Sequence, residues 1–417
     1  MDEQLTLNLN VRARLSAMMF LQYMLVAVWF VQLSAYLTDA LKMGGILVAL
    51  ITSSMALGCL ASPLIGMFAD RHFASQWVLA ALNLATAALL FLSALVTAPT
   101  PVFIFLLLAM LCYMPTWGLT NSIAMSHSPS EKFPQIRVFG SIGWVAAGLF
   151  SLVAKKVWGQ VIDGTAVPLY CGAAVALAAA AYALTLPHTP PPAKGQKTSL
   201  VDVLGLRSLA LMKDRHFAVL VLATFVSMLA FASYWTYFSA FLKARGFEYL
   251  TATMNWGQFV EMGIMLLVPV AIAALGLRWT MVIGLGAFVV RFGAFWLGNA
   301  LDASALYYLG ILVHGIIFGC FFVGGQIYID RKAPKEMRAQ AQGLIFLIAF
   351  GAGLLAGNFL NGALLECGVA AGGAKNWQAM WIASTAISAA LLVLFPILFR
   401  DPVAAKGAEK VAAGQAA

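Results

Sequence analysis

Long apolar runs separated by short polar connections make up most of the chain. An α-helix rises about 1.5 Å per residue, so roughly 20 apolar residues are needed to cross about 30 Å of hydrocarbon. The runs predict transmembrane helices near residues 14–37, 45–69, 76–96, 101–123, 135–154, 166–186, 217–242, 252–275, 279–299, 303–329, 340–365 and 377–399. They are continuously apolar rather than alternating, which excludes a transmembrane β-barrel. The predicted fold class is an all-α integral membrane protein with twelve transmembrane helices.

Composition supports the same class. Of the 417 residues, 62% are hydrophobic and only 10% are charged. A soluble domain of this size needs more polar cover than such a composition supplies. Lipid must therefore solvate much of the surface.

The longest polar stretch between apolar runs covers residues 188–216 and contains three consecutive prolines, Pro190 to Pro192. Prolines disfavour continuation of the preceding helix, and the charges that follow keep the stretch in water. We predict a cytoplasmic linker here, between six-helix bundles at residues 1–187 and 217–400. The tail at 401–417 is rich in Ala, Gly and Lys and is predicted to be cytoplasmic and disordered. Two six-helix bundles suit a carrier that rocks around a midplane site.

Most of the 25 Lys and Arg residues fall on the side of the predicted spans that also holds both termini. The positive-inside rule therefore predicts that both termini are cytoplasmic. The formal charge of +9 is explained by this topology and by contact with anionic lipid head groups, in preference to nucleic-acid binding. The first apolar run has no small-residue cleavage site after it, so we expect a retained span and not a signal peptide.

Several kinds of chemistry are not expected. The five cysteines are scattered without paired spacing, which argues against a disulfide framework and against a metal site. The chain has no GxxxxGK[ST] loop for ATP. It shows no cluster of nucleophile, base and metal ligands, so an enzyme is not predicted. We expect a transporter without metal or cofactor, driven by an ion gradient or by the gradient of its solute.

Glu261 is the most informative residue, because among the acidic residues of the sequence it is the one that we place deep within a predicted span. A carboxylate in hydrocarbon is costly and normally marks an ion path or a ligand contact. Gln258 lies three residues earlier and so shares a helix face with it. The alternative is that Glu261 is a structural group paired with Arg291 in the next helix.

Arg137, Ser141 and Trp144 follow positions i, i+4 and i+7 on the fifth predicted helix, so they share one face. An aromatic plate beside hydrogen-bonding groups suits a planar heterocycle that carries a polar sugar. The competing interpretation is that Arg137 extends to lipid phosphates at the cytoplasmic end.

Other polar groups within predicted spans need partners, which can be a solute or another helix. His314 is a candidate proton relay, although a lone histidine is more often hydrogen-bonded within a bundle. The amides in this set include Gln22, Asn121 and Gln326.

The segment Gly-Met-Phe-Ala-Asp-Arg, with Gly66, Asp70 and Arg71, resembles the Gly-x-x-x-Asp-Arg signature of the major facilitator superfamily. In that superfamily the glycine permits close helix approach and the Asp-Arg pair forms a cytoplasmic latch. The alternative is a chance surface ion pair.

Longer segments resemble one branch of that superfamily, the nucleoside:proton symporters. They are Phe20-Leu21-Gln22 with Trp29, Tyr113-Met114-Pro115-Thr116 with Asn121, Phe133-Pro134 through Ile136-Arg137, Leu186-Pro187-His188, Gln258 with Glu261, Gly325-Gln326-Ile327-Tyr328, Arg338-Ala339 with Ala341-Gln342-Gly343, and Trp377-Gln378. The resemblance implies a central binding site for a nucleoside, in which Arg137, Ser141 and Trp144 face Gln258 and Glu261. It also implies that Phe318 is an aromatic residue of this site.

The chain departs from the family pattern at Gly319, where the family has an aspartate. Either proton coupling relies on Glu261 alone, or substrate and coupling have diverged; we favour the first. The resulting hypothesis is a monomeric importer of nucleosides by proton symport in a bacterial inner membrane. A nucleoside facilitator, a carrier of another small polar solute such as a sugar, and a non-transporting membrane sensor are the alternatives.

Overall fold

The computed structural model describes residues 9–128, 133–191, 206–334, 338–367 and 375–400. Within these ranges the regular secondary structure is entirely helical. Ten of the described helices are long and apolar enough to cross a membrane, and a shorter apolar helix covers Val167–Ala183. One of the ten, Leu250–Leu301, has 52 residues and contains two of the predicted spans. The twelve predicted helices are therefore confirmed.

The first six helices lie within a few residues of their predicted positions. They are α1 (Leu9–Ala40), α2 (Gly45–Thr52 and Ser54–His72), α3 (Ser75–Ala94), α4 (Pro99–Ser126), α5 (Phe133–Ala146 and Gly148–Trp158) and α6 (Val167–Ala183). The end of α1 is a π-helical segment, Tyr36–Ala40.

The second six helices begin after a short 3-10 helix, Leu206–Lys213. We divide Leu250–Leu301 at Gly276, whose φ of 77° and ψ of 160° are not helical. Glycine tolerates this positive φ because it has no Cβ. The helices are α7 (Arg215–Ala244), α8 (250–275), α9 (277–301), α10 (Ser304–Lys332), α11 (Arg338–Phe346, Leu347–Gly353 and Leu354–Glu366) and α12 (Trp377–Leu398).

Asp214 starts α7 by capping its first turn. Its Oδ1 accepts hydrogen bonds from the backbone N–H groups of His216 and Phe217, both at 3.0 Å, and Lys332 lies 2.6 Å from Oδ2. Burial alone would raise the pKa of Asp214, but the Lys332 contact and these N–H donors outweigh it and lower the pKa. The polar stretch predicted as a linker therefore ends in a helix cap.

The chain divides into two compact units. Unit 1 consists of Met1–Thr198 and Tyr234–Asn255, and unit 2 of Ser199–Ser233 and Trp256–Ala417. The predicted linker lies partly outside the described residues, at 192–205, and the predicted tail at 401–417 lies wholly outside them. The boundaries at 187 and 217 stay a prediction.

Hydrogen bonds explain why the second segment, Tyr234–Asn255, belongs to unit 1. The Ser34 and Ser239 hydroxyls are 2.9 Å apart, and Tyr237 donates to the Gly45 carbonyl at 3.3 Å. Near the other end of the segment, Asn255 Nδ2 donates to the Val145 carbonyl at 2.9 Å. The C-terminal part of α7 and the start of α8 are thus bonded to α1, α2 and α5.

Large apolar side chains are exposed on helices of membrane-spanning length. Leu266 and Val270 of α8 are 78% and 63% exposed, and Ile397 of α12 is 65% exposed. Such surfaces are costly in water but match a hydrocarbon environment. The protein is an integral membrane protein of the kind predicted.

Candidate functional site

Arg137 of α5 packs on Tyr23 of α1 within unit 1. The guanidinium carbon lies 4.1 Å from the centre of the Tyr23 ring, a cation–π contact. Tyr23 in turn stacks on Trp117 of α4, with ring centres 5.4 Å apart. The contact directs Arg137 toward α1 and a buried ring, which favours a role inside the bundle over an extension to lipid phosphates.

Gly140 provides the space for this contact. It lies three residues after Arg137, and a Cβ built on it would be 2.7 Å from Arg137 Nη1 and 2.8 Å from Tyr23 Cδ2. Any larger residue would displace one of the two side chains. The sequence therefore positions Arg137 through the glycine next to it on the same helix face.

Gln22 belongs to a hydrogen-bond network between α1, α3 and α4. Its Nε2 donates to Thr116 Oγ1 at 2.6 Å and to Asn83 Oδ1 at 3.2 Å, and Asn83 Nδ2 donates back to Gln22 Oε1 at 3.0 Å. Gln22 is 1% exposed. Its amide is therefore satisfied inside the bundle, and contact with a substrate stays a prediction.

The other predicted residues of unit 1 are half-buried. Trp144 packs against Trp235 of α7 with ring centres 5.6 Å apart. Ser141 lies one turn after Arg137 on α5. Asn121 of α4 has a buried Oδ1 that accepts no hydrogen bond from the residues that the structure describes. A buried acceptor without a donor is costly, so Asn121 is suited to a ligand donor.

In unit 2, Gln258 and Glu261 of α8 meet His314 of α10. Glu261 Oε2 lies 3.4 Å from His314 Nε2, and Gln258 Nε2 lies 3.3 Å from the same nitrogen. His314 is 1% exposed at its side chain, whereas Glu261 is 17% exposed. Gln258 and Glu261 lie on one face of α8, and His314 contacts both of them.

Two glycines allow α8 and α10 to approach closely enough for this contact. A Cβ on Gly315 would lie 2.6 Å from the Glu261 Cα, and a Cβ on Gly257 would lie 2.9 Å from the His314 Cβ. Both clashes involve backbone or the base of a side chain, which cannot move aside cheaply. Gly257 and Gly315 therefore fix the distance between Glu261 and His314.

Arg291 of α9, the alternative partner for Glu261, is fully buried. Its Nε donates to the Gly310 carbonyl at 3.0 Å, and its guanidinium carbon lies 6.0 Å from the Phe231 ring centre. The basic side chain whose contact with Glu261 the described residues show is His314, with Nε2 3.4 Å from Oε2. The structural pairing of Glu261 with Arg291 stays an alternative interpretation.

Phe318 lies one turn after His314 on α10 and stacks on the imidazole, with ring centres 5.9 Å apart. Its neighbour Gly319 faces α8, since a Cβ there would lie 3.0 Å from Val268 Cγ2 and 3.2 Å from Ile264 Cγ2. Gln326 is exposed two turns further on and is not part of this group. Gln258, Glu261 and Phe318 thus gather around His314.

The predicted latch falls on α2. Gly66, Asp70 and Arg71 are helical there, and their side chains lie outside the described residues. The latch stays a prediction.

Sequence reasoning undervalued His314 and overlooked Tyr23. His314 carries a recognisable signal, a titratable residue inside an apolar run, but its proximity to Glu261 depends on how α8 and α10 pack. Tyr23 carries no signal, because aromatic residues are common in apolar helices. Together the group around His314 offers hydrogen-bond donors, acceptors, a stacking ring and an exchangeable proton.

Comparisons with known proteins agree with this picture. A family model described as nucleoside H+ symporter matches residues 9–404. YegT of Escherichia coli (strain K12) is 36% identical over 400 residues, which cover 93% of this chain and 94% of YegT. Xanthosine permease of the same organism is 29% identical over 408 residues, covering 93% and 95% of the two chains. The crystal structure of nucleoside transporter NupG superposes with a TM-score of 0.82 at 27% identity, covering 94% of this chain and 100% of that one.

Proposed function

Because the chain belongs to the nucleoside H+ symporter family, a family of transporters and not of enzymes, we propose that it imports nucleosides together with protons. The observation that carries the proposal is Glu261, an ionisable group inside a membrane helix that adjoins Gln258 and a histidine. Such groups normally mark ion or substrate paths. Transport would follow alternating access, in which two six-helix bundles rock around a central site.

Each predicted site residue has a proposed role. Glu261 exchanges the proton and bonds the solute, and Gln258 reads the ribose or the base edge. Trp144 stacks on the base, while Arg137 and Ser141 orient it.

The remaining predicted contacts complete this proposal. Phe318, beside His314, adds a second aromatic surface, and Asn121 contributes its buried acceptor oxygen. Gln22 and Gln326 are further proposed contacts. The latch of Gly66, Asp70 and Arg71 would hold one conformation at the cytoplasmic side.

The setting is proposed in the same way. Both termini in the cytoplasm are supported by the distribution of Lys and Arg. A bacterial inner membrane and a monomer are proposed from the resemblance of the chain to this family. Lipid and the two transported species are the proposed partners, without nucleic acid, metal or cofactor.

Counterflow of labelled uridine in proteoliposomes tests the proposal. The protein should exchange uridine without a gradient and should concentrate it when an inward proton gradient is imposed. Glu261→Gln should keep exchange but lose accumulation, because an amide carries no exchangeable proton. Accumulation by Glu261→Gln at the wild-type level would refute the coupling role, and the absence of uridine exchange in the wild type would refute nucleoside transport. Competition by glucose but not by nucleosides would instead identify a sugar carrier.

A nucleoside facilitator without proton coupling is the second candidate. It is favoured by Gly319, which carries no carboxyl group where the family has an aspartate. Uridine exchange that never exceeds the equilibrium distribution under a proton gradient would establish it.

A further inference from the structure

Three ionisable side chains lie together inside the membrane helices of unit 2. Glu261, Arg291 and His314 come from α8, α9 and α10, and both Arg291 and His314 contact Phe231 of α7. Arg291 bonds the carbonyl of Gly310, which is one helical turn before His314. An arginine stays charged in a protein, so the exchangeable protons of this cluster belong to Glu261 and His314.

The charge balance restricts which proton states are stable. With Glu261 ionised and His314 neutral, the two charges of Glu261 and Arg291 cancel. One added proton leaves the cluster with a net positive charge, which is costly for side chains that are buried to this extent. Proton binding is therefore coupled to any change that alters the hydration or the hydrogen bonds of the cluster.

His314 Nε2 is shared by two groups of opposite hydrogen-bonding character. The Glu261 carboxylate at 3.4 Å can only accept, whereas the Gln258 amide nitrogen at 3.3 Å can only donate. A protonated Nε2 can bond Glu261 but not the Gln258 nitrogen. A bare Nε2 accepts from Gln258 and leaves the carboxylate without this donor.

We propose that His314 is a second proton-coupling residue, whose Nε2 determines whether Gln258 is held by the protein or released to the solute. This inference rests on the proposed symport function. In the proton-free state Gln258 donates to Nε2. Glu261 takes a proton from the outer solution and passes it to the imidazole, whose Nε2–H then bonds the Glu261 carboxylate and frees the Gln258 amide to bind a nucleoside. After the transporter has opened to the inner side, the same proton leaves to the inner solution, and Gln258 again donates a hydrogen bond to His314 Nε2.

The packing supports a switch with little movement. The imidazole stacks on Phe231 and on Phe318, with ring centres 6.1 and 5.9 Å away. Rings held in this way keep their position while the hydrogen-bond partner changes. Gly319, the residue after Phe318, contributes no side chain, so within the described part of this cluster His314 is the titratable neighbour of Glu261.

Proton uptake on solute binding is the direct readout. Uridine binding to the detergent-purified protein is measured by calorimetry in buffers of different ionisation enthalpy, between about pH 5 and 8, the range in which histidine titrates. The wild type should take up protons when uridine binds. If one proton is coupled, its affinity for uridine should weaken by up to about tenfold for each unit by which pH rises. His314→Gln should bind with an affinity that varies much less with pH and should take up fewer protons.

Transport distinguishes this inference from the proposed function. In proteoliposomes His314→Gln should retain uridine exchange within about threefold but should lose most of its proton-driven accumulation, because the amide can still bond Gln258 and Glu261 without titrating. His127→Gln is the matched control. His127 lies just after α4 and bonds Thr189 at 2.9 Å, away from the cluster, so its accumulation should equal the wild type.

The inference is overturned if His314→Gln takes up as many protons as the wild type or accumulates uridine equally well. It is also overturned if the wild type binds uridine without proton uptake, a result that leaves nucleoside transport itself intact. His314→Phe, which preserves the ring stacking, guards against a folding defect. It should lose coupling like His314→Gln, and retained coupling in this variant would exclude a proton on residue 314.

Discussion

Two carboxylates within helical units, Asp163 in unit 1 and Glu261 in unit 2, have very different surroundings. Asp163 lies in the connection between α5 and α6 and is fully buried. One of its oxygens accepts from the Ser151 hydroxyl, and the other accepts from the Thr251 backbone N–H at 3.1 Å. Glu261 is 17% exposed, and its partner is the titratable ring of His314.

The comparison separates a carboxylate held by structural hydrogen bonds from one that lies beside a titratable ring. Asp163 is held by groups that do not titrate near neutral pH, and these groups come from α5 and from the first turn of α8. Lys243 of α7 also donates to the backbone carbonyl of Asp163 at 3.2 Å. Asp163 therefore joins three elements of unit 1. Burial alone therefore does not distinguish a candidate proton carrier from a structural group, and the proposed role of Glu261 depends on the neighbouring groups.

The largest expected effect on stability is at Asp163. Asp163→Ala leaves the buried Thr251 N–H without its acceptor, which costs about 1–3 kcal/mol. Glu261→Gln should change stability little, because a partly exposed amide replaces a partly exposed carboxylate. Thermal unfolding of the two purified variants measures the contrast. Equal losses in both would show that the two carboxylates do not differ in this way.

A smaller effect is expected in the pH dependence of stability. Burial raises the pKa of Asp163 above its usual value, although the bonds from Ser151 and Thr251 and the charge of Lys243 oppose this. The folded state then holds a proton that the unfolded state has released, so the contribution of Asp163 to stability falls as pH rises from its usual pKa toward the raised one.

Asp163→Asn isolates this contribution. Its amide can accept from Thr251 and donate to the Ser151 oxygen, so the hydrogen bonds survive without a charge. Relative to this variant, the wild type should lose stability as pH rises through that range, as measured by thermal unfolding at several pH values. Asp163→Asn should leave the ion pair between Lys155 Nζ and Glu248 Oε2, 3.5 Å apart, unchanged. A wild type that gains stability relative to Asp163→Asn as pH rises through this range would contradict a raised pKa of Asp163.

The smallest effect is expected at Gly319, which follows Phe318 on α10 and faces α8. A Cβ there meets Val268 Cγ2 at 3.0 Å and Ile264 Cγ2 at 3.2 Å, both ends of side chains that can shift slightly. The better helix propensity of alanine, worth about 1 kcal/mol, offsets this crowding. Gly319→Ala should therefore change stability by less than about 1 kcal/mol and leave uridine accumulation unchanged. A large loss of accumulation would mean that the solute or the proton path contacts this position.

Local pattern predicted most of the fold. Hydropathy and helix length are properties of consecutive residues, so the spans could be assigned from the chain alone. The division of the 52-residue helix Leu250–Leu301 into two spans was predicted because Gly276 and Arg278 interrupt the apolar run. The π-helical segments were not predicted, because their wider turns depend on contacts with neighbouring helices.

The candidate site was predicted in part. The pattern placed Gln258 beside Glu261 and Arg137 on a face with Trp144, because helical spacing determines which residues share a face. It did not determine what those faces meet. In the structure, His314 of α10 lies 3.4 Å from Glu261, a contact that helical spacing on α8 does not determine.

The sequence by itself determined that this is a membrane protein of twelve helices with a carboxylate inside one of them, because hydrophobicity acts over runs of neighbouring residues. Tertiary structure alone decided the partners: Glu261 with His314, Arg137 with Tyr23, and Asp163 with the first turn of α8. The physical reason is that these contacts depend on the distance between helices that are far apart in the chain. At the Glu261 contact, Gly257 and Gly315 set that distance by removing the side chains that would hold α8 and α10 apart.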